Sequence, residues 1–302
     1  HTRGSFEVFR RAGQARPERP RRWLYTHRGG KWATYYSTDA ASIRARFFDH
    51  TLRDLDNGWD ALPPVRLAVY ESGPTPVAVT AESEWPPADL RMRRLFLDGM
   101  DGCLGDGPSR VTVQTGFAMN GPGLEWTWRI PEALDVIGPM SLRLHVSARA
   151  ADDLTLFVGV RKIAEGAVVP FEGSYGFDRA WMSYGWQRVG FRDLDPDLTT
   201  DLHPVHTFER RVPIRPGEVI PVDIELREHA TRFRAGEELR LVVRGRWVHS
   251  RNPVTGSFPA GYVRRRGGTA IIHTGPEHPS SLLLGHRHPT GSPGEPWLEK
   301  AP

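Results

Sequence analysis

The chain has 302 residues, 39% hydrophobic and 25% charged, with a formal net charge of +4, which suits one or two globular domains with a real core. No apolar run approaches the ~20 residues that a membrane-spanning helix needs, and the opening ten residues are too polar for a secretory leader. Of the 40 basic residues only Lys31, Lys162 and Lys300 are lysines; the arginines are mostly dispersed among acids, the short runs around Arg21 and Arg264-Arg265-Arg266 read as solvated loops, and neither pattern fits a nucleic-acid face.

Phe6, Phe9 and Ala12 share a helical stripe and predict a short amphipathic helix over residues 1–12. Gly13 to Arg22, with Pro17 and Pro20, reads as a loop. Trp23-Leu24-Tyr25-Thr26 is short, aromatic and bounded by turn residues, a buried strand. His27 stands at its C-terminal end, where open α/β sheets gather their catalytic groups. Arg28-Gly29-Gly30 turns the chain. Ser37-Thr38-Asp39 then offers N-caps to a helix that carries Ile43, Phe47, Phe48, Thr51, Leu52 and Leu55 on one side and ends at Asn57-Gly58. Residues 1–60 therefore read as helix, strand, helix: the last piece of an α/β layer, which cannot cover both faces of one strand by itself.

From residue 61 the period becomes two. Val65, Leu67 and Val69 alternate with Arg66, Ala68 and Tyr70. Leu142, Leu144 and Val146 do the same, as do Ile220, Val222, Ile224 and Leu226, and then Leu239, Leu241 and Val243. Further strands are predicted at 93–97, 110–117, 154–161, 186–192, 206–212, 269–274 and 281–284. About eleven strands with Gly/Pro-rich breaks give a mainly β chain whose residues 61–286 form an antiparallel sandwich or jelly roll. Past Gly285 the composition turns to Gly, Pro, Ser and His, so residues 287–302 are expected to be a poorly ordered tail.

Several segments together resemble the CocE/NonD acyl esterases and their relatives, the bacterial X-prolyl dipeptidyl aminopeptidases. They are Trp23-Leu24-Tyr25-Thr26-His27, Arg46-Phe47-Phe48-Asp49-His50, Asp56-Asn57-Gly58-Trp59, Pro63-Pro64-Val65-Arg66-Leu67 and Glu84-Trp85-Pro86-Pro87. Leu142-Arg143-Leu144, Pro204-Val205-His206, Phe233-Arg234-Ala235-Gly236-Glu237 and His273-Thr274-Gly275-Pro276 continue the match in order. The resemblance implies an α/β-hydrolase domain followed by a galactose-binding-like jelly roll that helps wall an acyl pocket. It also implies that His27 is the histidine of a Ser-Asp/Glu-His triad, which comes last in chain order in that fold. The acid and the nucleophile elbow would then lie upstream, in a hydrolase domain that is the expected partner of these residues. The expected substrate is a small ester or peptide, and a homo-oligomer is left open. Read without the resemblance, His27 is better taken as a surface-loop histidine.

No Gly-x-Ser-x-Gly occurs. The nearest segment, Gly173-Ser174-Tyr175-Gly176, is one residue short and reads as a loop between strands, so Ser174 is not expected to be a nucleophile. Cys103, the single cysteine, can form no intrachain disulfide and reads as a passive thiol; cytoplasmic residence is the expectation. His203 and His206 lie on an extended, proline-containing segment, and His286 and His288 fall in the tail, without cysteine or helix partners. No metal or cofactor is expected. Asp193, Asp195, Asp197 and Asp201 lack the spacing of a calcium loop and read as turn residues. The second functional reading is a non-catalytic sandwich binding carbohydrate or a partner protein, with Trp126 and Trp128 on one strand face, or Trp181 and Trp186 around a loop, as a platform.

Overall fold

A computed structural model describes residues 2–15, 22–172, 179–248 and 267–292. Gly173–Gly176 with Ser174, the Arg264–Arg266 run and residues 293–302 of the predicted tail lie outside the described residues. The chain opens with α1 (Thr2–Ala15), β1 (Leu24–Tyr25), α2 (Lys31–Tyr35) and α3 (Thr38–Arg53), followed by β2 (Val65–Val69) and β3 (Ala78–Glu82). Then come β4 (Arg91–Leu97), β5 (Leu104–Gly105), β6 (Val113–Ala118), β7 (Leu124–Arg129), β8 (Leu134–Arg149), β9 (Thr155–Ala164) and β10 (Ala167–Val168). The last are β11 (Phe171–Glu172), β12 (Arg179–Ala180), β13 (Ser183–Arg188), β14 (Ile220–Phe233), β15 (Glu238–Arg244), β16 (Thr269–Thr274) and β17 (Ser281–Arg287).

Two antiparallel sheets make the sandwich. One runs β10-β9-β15-β7 with β13 also on β9, and the other runs β5-β4-β17-β8-β16-β6 with β14 on β8. The alternating residues that mark the strands fill the space between them: Leu142, Leu144 and Val146 of β8, Val222, Ile224 and Leu226 of β14, and Leu239, Leu241 and Val243 of β15 belong to one buried cluster. Burying such side chains stabilises by about 1.5–3 kcal/mol each, the main force holding the sandwich. Trp126 and Trp128 are in the same cluster. They are core residues, so they offer no carbohydrate platform.

The predicted break at residue 60 does not coincide with a break in pairing. β1 pairs parallel with β2, and β2 pairs antiparallel with β3, so the α/β layer continues to Glu82. Every residue of β2 is buried, because it lies mid-sheet and is covered on both faces, where an edge strand of the sandwich would alternate. The small sheet is then sewn to the large one. Tyr70 N–H donates to Ala230 O at 3.1 Å and Arg232 N–H to Tyr70 O at 2.9 Å. Phe6 and Phe9 of α1 pack with Leu24, Val65, Leu67, Trp85, Ile137 and Ala230 over this junction.

Two further expectations change. Residues 206–212 form no strand beyond a bridge between Leu194 and His206. Their amides turn to the preceding loop instead, Thr207 N–H to Asp193 O and Val212 N–H to Gly190 O, and Arg211 is drawn to Asp152 and Asp153. The last strand runs past Gly285 to Arg287, whose buried guanidinium meets Glu82 at 2.7 Å and Asp89 at 3.0 Å. Ser292 O then accepts from Val79 N–H at 3.0 Å, so the chain is still paired at the sixth residue of the predicted tail.

Candidate functional site

His27 sits where β1 leaves its sheet. Thr26 makes the last contacts with β2: its N–H donates to Arg66 O at 3.1 Å, and its Oγ1 accepts from Ala68 N–H at 2.9 Å. Arg66 stacks on Tyr25, 4.2 Å from the ring centre, and donates to Thr26 O at 3.1 Å. The His27 side chain is exposed. The protein packed around its inner side, and then the charge of Arg66, hold its pKa below the ordinary imidazole value, against an opposing hydrogen bond with the Gly29 backbone. A neutral, accessible imidazole is the form that can take up a proton. Among the described residues no carboxylate is hydrogen-bonded to this ring.

The segments quoted for the family resemblance meet one another behind the strand. Arg46 Nε and Nη2 donate to Asn57 O at 3.0 and 2.6 Å, and Asn57 Nδ2 donates back to Arg46 O at 2.8 Å. His50 Nε2 lies 3.1 Å from Asp60. Trp23, Phe47 and Trp59 form an edge-on triangle with ring centres 5.3–6.2 Å apart. Gly58 takes the left-handed turn (φ 73°) that starts the short helical turn carrying Trp59, a conformation that favours glycine. Ser37 caps α3 as predicted, accepting from Ala40 N–H at 3.3 Å.

The apolar stripe of α3 splits. Ile43 and Phe47 pack on Trp59 and Leu62, whereas Phe48, Leu52 and Leu55 are exposed, Leu52 by 76%. Trp32, Tyr35 and Tyr36 at α2 are exposed too. Exposed aromatic side chains of α2 thus follow the His27 loop directly in the chain.

Sequence reasoning missed Arg28. Its backbone N–H donates to Tyr70 Oη at 3.0 Å, its Nη1 to Met182 O at 3.1 Å and its Nη2 to Trp181 O. Its guanidinium lies 4.0 Å from the centre of the Phe171 ring. Burial pulls its pKa down to about 10, with Tyr70 and Tyr184 opposing, which leaves it charged at neutral pH. Gly30 N–H donates to Glu172 Oε1 at 3.1 Å. The loop that carries His27 is thus held by the sandwich. Trp181 in turn lies flat over Gly159 of β9, where a Cβ would come within 2.3 Å of its ring. An arginine beside a glycine pair has no sequence signature; its partners are 42 to 154 residues away.

The other candidates have ordinary roles or none. Asp195 Oδ1 accepts from Asp197 and Leu198 N–H at 2.9 and 3.1 Å, a turn cap. Cys103 is exposed and free. His203, set aside as an isolated loop histidine, is brought beside Glu225 and Glu228.

The family described as the X-Pro dipeptidyl-peptidase C-terminal non-catalytic domain matches residues 124–283, from the first residue of β7 into β17. The chain belongs to this family. The match covers the sandwich from β7 into β17, and leaves β4, β5, β6 and His27 outside it. Among solved structures, a CocE/NonD family hydrolase from Staphylococcus aureus is 26% identical, with a TM-score of 0.87 over 95% of this chain and 52% of that one. An α-amino acid ester hydrolase (15% identity, TM-score 0.62, 92% of this chain and 52% of that one) shares the fold. So does an aminopeptidase from a marine sediment archaeon of the Thaumarchaeota (18%, 0.58, 82% and 44%). No curated protein matches the sequence. The chain spans about half the length of the solved structures it resembles. It is therefore a mainly β chain of the CocE/NonD type, a hydrolase-associated X-Pro dipeptidyl-peptidase C-terminal domain with an α/β layer attached. Among the described residues no helix is long and apolar enough to cross a membrane.

Proposed function

We propose that this chain is the C-terminal part of a serine hydrolase acting on small acyl esters or X-prolyl peptides. In this reading it supplies the triad histidine, His27, and its sandwich holds that histidine in place. The observation that carries the reading is the clamp on the His27 loop: Arg28 on the Trp181 and Met182 carbonyls, Arg28 N–H on Tyr70, and Gly30 N–H on Glu172. The exposed apolar side chains of α2 and α3 are where the remaining hydrolase layer would pack, bringing the nucleophile and the acid. The neutral His27 imidazole takes the proton from the serine hydroxyl as it attacks the acyl carbonyl. It returns that proton to the leaving alcohol or amine, and repeats both steps for water in deacylation.

Fluorophosphonate labelling of the full-length gene product tests this. A serine in the hydrolase layer should be labelled, and His27→Gln should slow labelling by about a hundredfold or more. Unchanged labelling in the variant, or stoichiometric labelling of a serine among residues 1–302, would overturn the reading.

A further inference from the structure

A second cluster gathers on the sandwich strand β14 and the loop that carries His203. Glu225 and Glu228 are three residues apart, a spacing that on an unbroken strand points side chains to opposite faces. The register of β14 against β8 slips between Leu226 and His229. That bulge lets both carboxylates converge with the His203 ring, so that one ligand atom from each lies within 4.8 Å of the other two. Bulges recur where a strand re-aims side chains at a site.

Three polar atoms of this cluster are buried without a hydrogen bond. Glu228 is 7% exposed, and neither of its carboxylate oxygens has a hydrogen-bond partner. His203 Nε2 is likewise buried without one, while its Nδ1 lies 2.9 Å from Glu225 Oε1. Leaving a buried carboxylate without a hydrogen bond is costly, and natural proteins rarely tolerate it without a ligand, a water or a function. The charged neighbours come from α1. Arg3 Nη2 lies 2.6 Å from Glu225, and its side chain is largely exposed; Arg10 Nη2 stays 3.7 Å from Glu228 because it is engaged by Glu7.

We propose that His203, Glu225 and Glu228 form a binding site for one divalent transition-metal ion of the zinc or manganese class. One imidazole and two carboxylates form a mixed nitrogen and oxygen donor set that suits such ions. Zinc ligands at ~2.0–2.2 Å from the ion lie roughly 3.3 Å apart, so small side-chain rotations close the site. Arg3 would swing from Glu225 into solvent, and Arg10 would remain with Glu7. Beside Glu225 opens a cavity of about 150 Å³ lined also by Arg3, Tyr184, Trp186 and His206, which leaves room for a water ligand and a path of entry. Burial pushes the Glu228 carboxyl up to about 7. Ion binding must expel its proton, so affinity should weaken as pH falls below 7.

Calorimetric titration of the chelator-stripped protein with Zn²⁺ at pH 7.5 tests the site. One equivalent should bind saturably, about tenfold or more weaker in both Glu228→Gln and His203→Gln and unchanged in His288→Gln. If either variant fails to fold, Mn²⁺ added to the unsubstituted protein provides the second readout: the His203 ring-proton resonance should broaden before that of any other histidine. No saturable equivalent, affinity unaltered in both variants, or broadening that begins elsewhere would each overturn the proposal.

Discussion

Arg28 carries a charge into a place where, among the described residues, only carbonyls and an aromatic face receive it. A hydrogen bond to a charged group contributes about 1.5–3 kcal/mol, so this side chain alone can fix the His27 loop. Arg28→Met should speed amide exchange of residues 27–30 by about tenfold or more, while exchange in β8 stays as it was. Hydrogen-exchange mass spectrometry reads both. His27 itself should titrate below the ordinary imidazole midpoint of ~6.5, followed by NMR of its ring protons. Arg66→Gln removes a positive charge that opposes protonation, so it should raise that midpoint. The position of His27 could be read from the sequence because a strand end followed by two glycines is a local pattern. Arg28 could not, because its meaning is set by Tyr70, Phe171, Trp181 and Met182, none of them near it in the chain.

At the scale of elements, a glycine of β9 and the bulge of β14 each set where a side chain lies. Gly159 makes room for Trp181, whose carbonyl receives Arg28. Gly159→Ala should destabilise the protein by about 1–3 kcal/mol through overpacking and loosen residues 27–30 as Arg28→Met does. Urea unfolding and exchange measure the two effects. The bulge of β14 buries Glu228, and the sign of its linkage follows from the raised pKa. The native state holds this proton up to about pH 7, whereas the unfolded chain releases it near 4.5, so the metal-free protein loses this stability as pH rises from 4.5 through 7. Glu228→Gln should remove about 2–3 kcal/mol of the difference in unfolding free energy between pH 4.5 and pH 8, and its absence would show in paired denaturant titrations. The period-two runs announced most of these strands, since alternation is a property of a few consecutive residues. The bulge was invisible because it depends on register against β8. The strand predicted at 206–212 failed because its backbone partners lie in an irregular loop, which no periodicity encodes.

Across the whole molecule, buried ion pairs join the layers. Lys162 is 1% exposed and meets Glu237 at 2.8 Å, Arg232 O at 2.8 Å and Glu71 O at 3.3 Å. It links β9, the end of β14 and the turn after β2. Removing one partner of such a pair costs about 3–5 kcal/mol, and Lys162→Met should lower the unfolding free energy by that order, measurable by denaturant titration. Protection should also be uneven. The short strand β1 has a single strand partner, β2, while β8, β9 and β15 are paired on both sides, so exchange should be slowest in the latter. The sandwich as a fold was legible from composition and alternation. The extent of the α/β layer was not, because β2 looks like every other alternating strand until its parallel neighbour β1 is known.

That shared sheet bears on how the chain can be divided. β2 pairs with β1 before it and β3 after it, Tyr70 is stitched to β14, and Val79 is bonded to Ser292. A sandwich excised at residue 61 would keep β2 with one bare edge and an apolar face stripped of Phe6, Phe9 and Leu24, a template for self-association. The two layers are thus poor candidates for exchange as interchangeable modules: a graft that respects the backbone pairing must carry the strand that ends in His27 along with the sandwich.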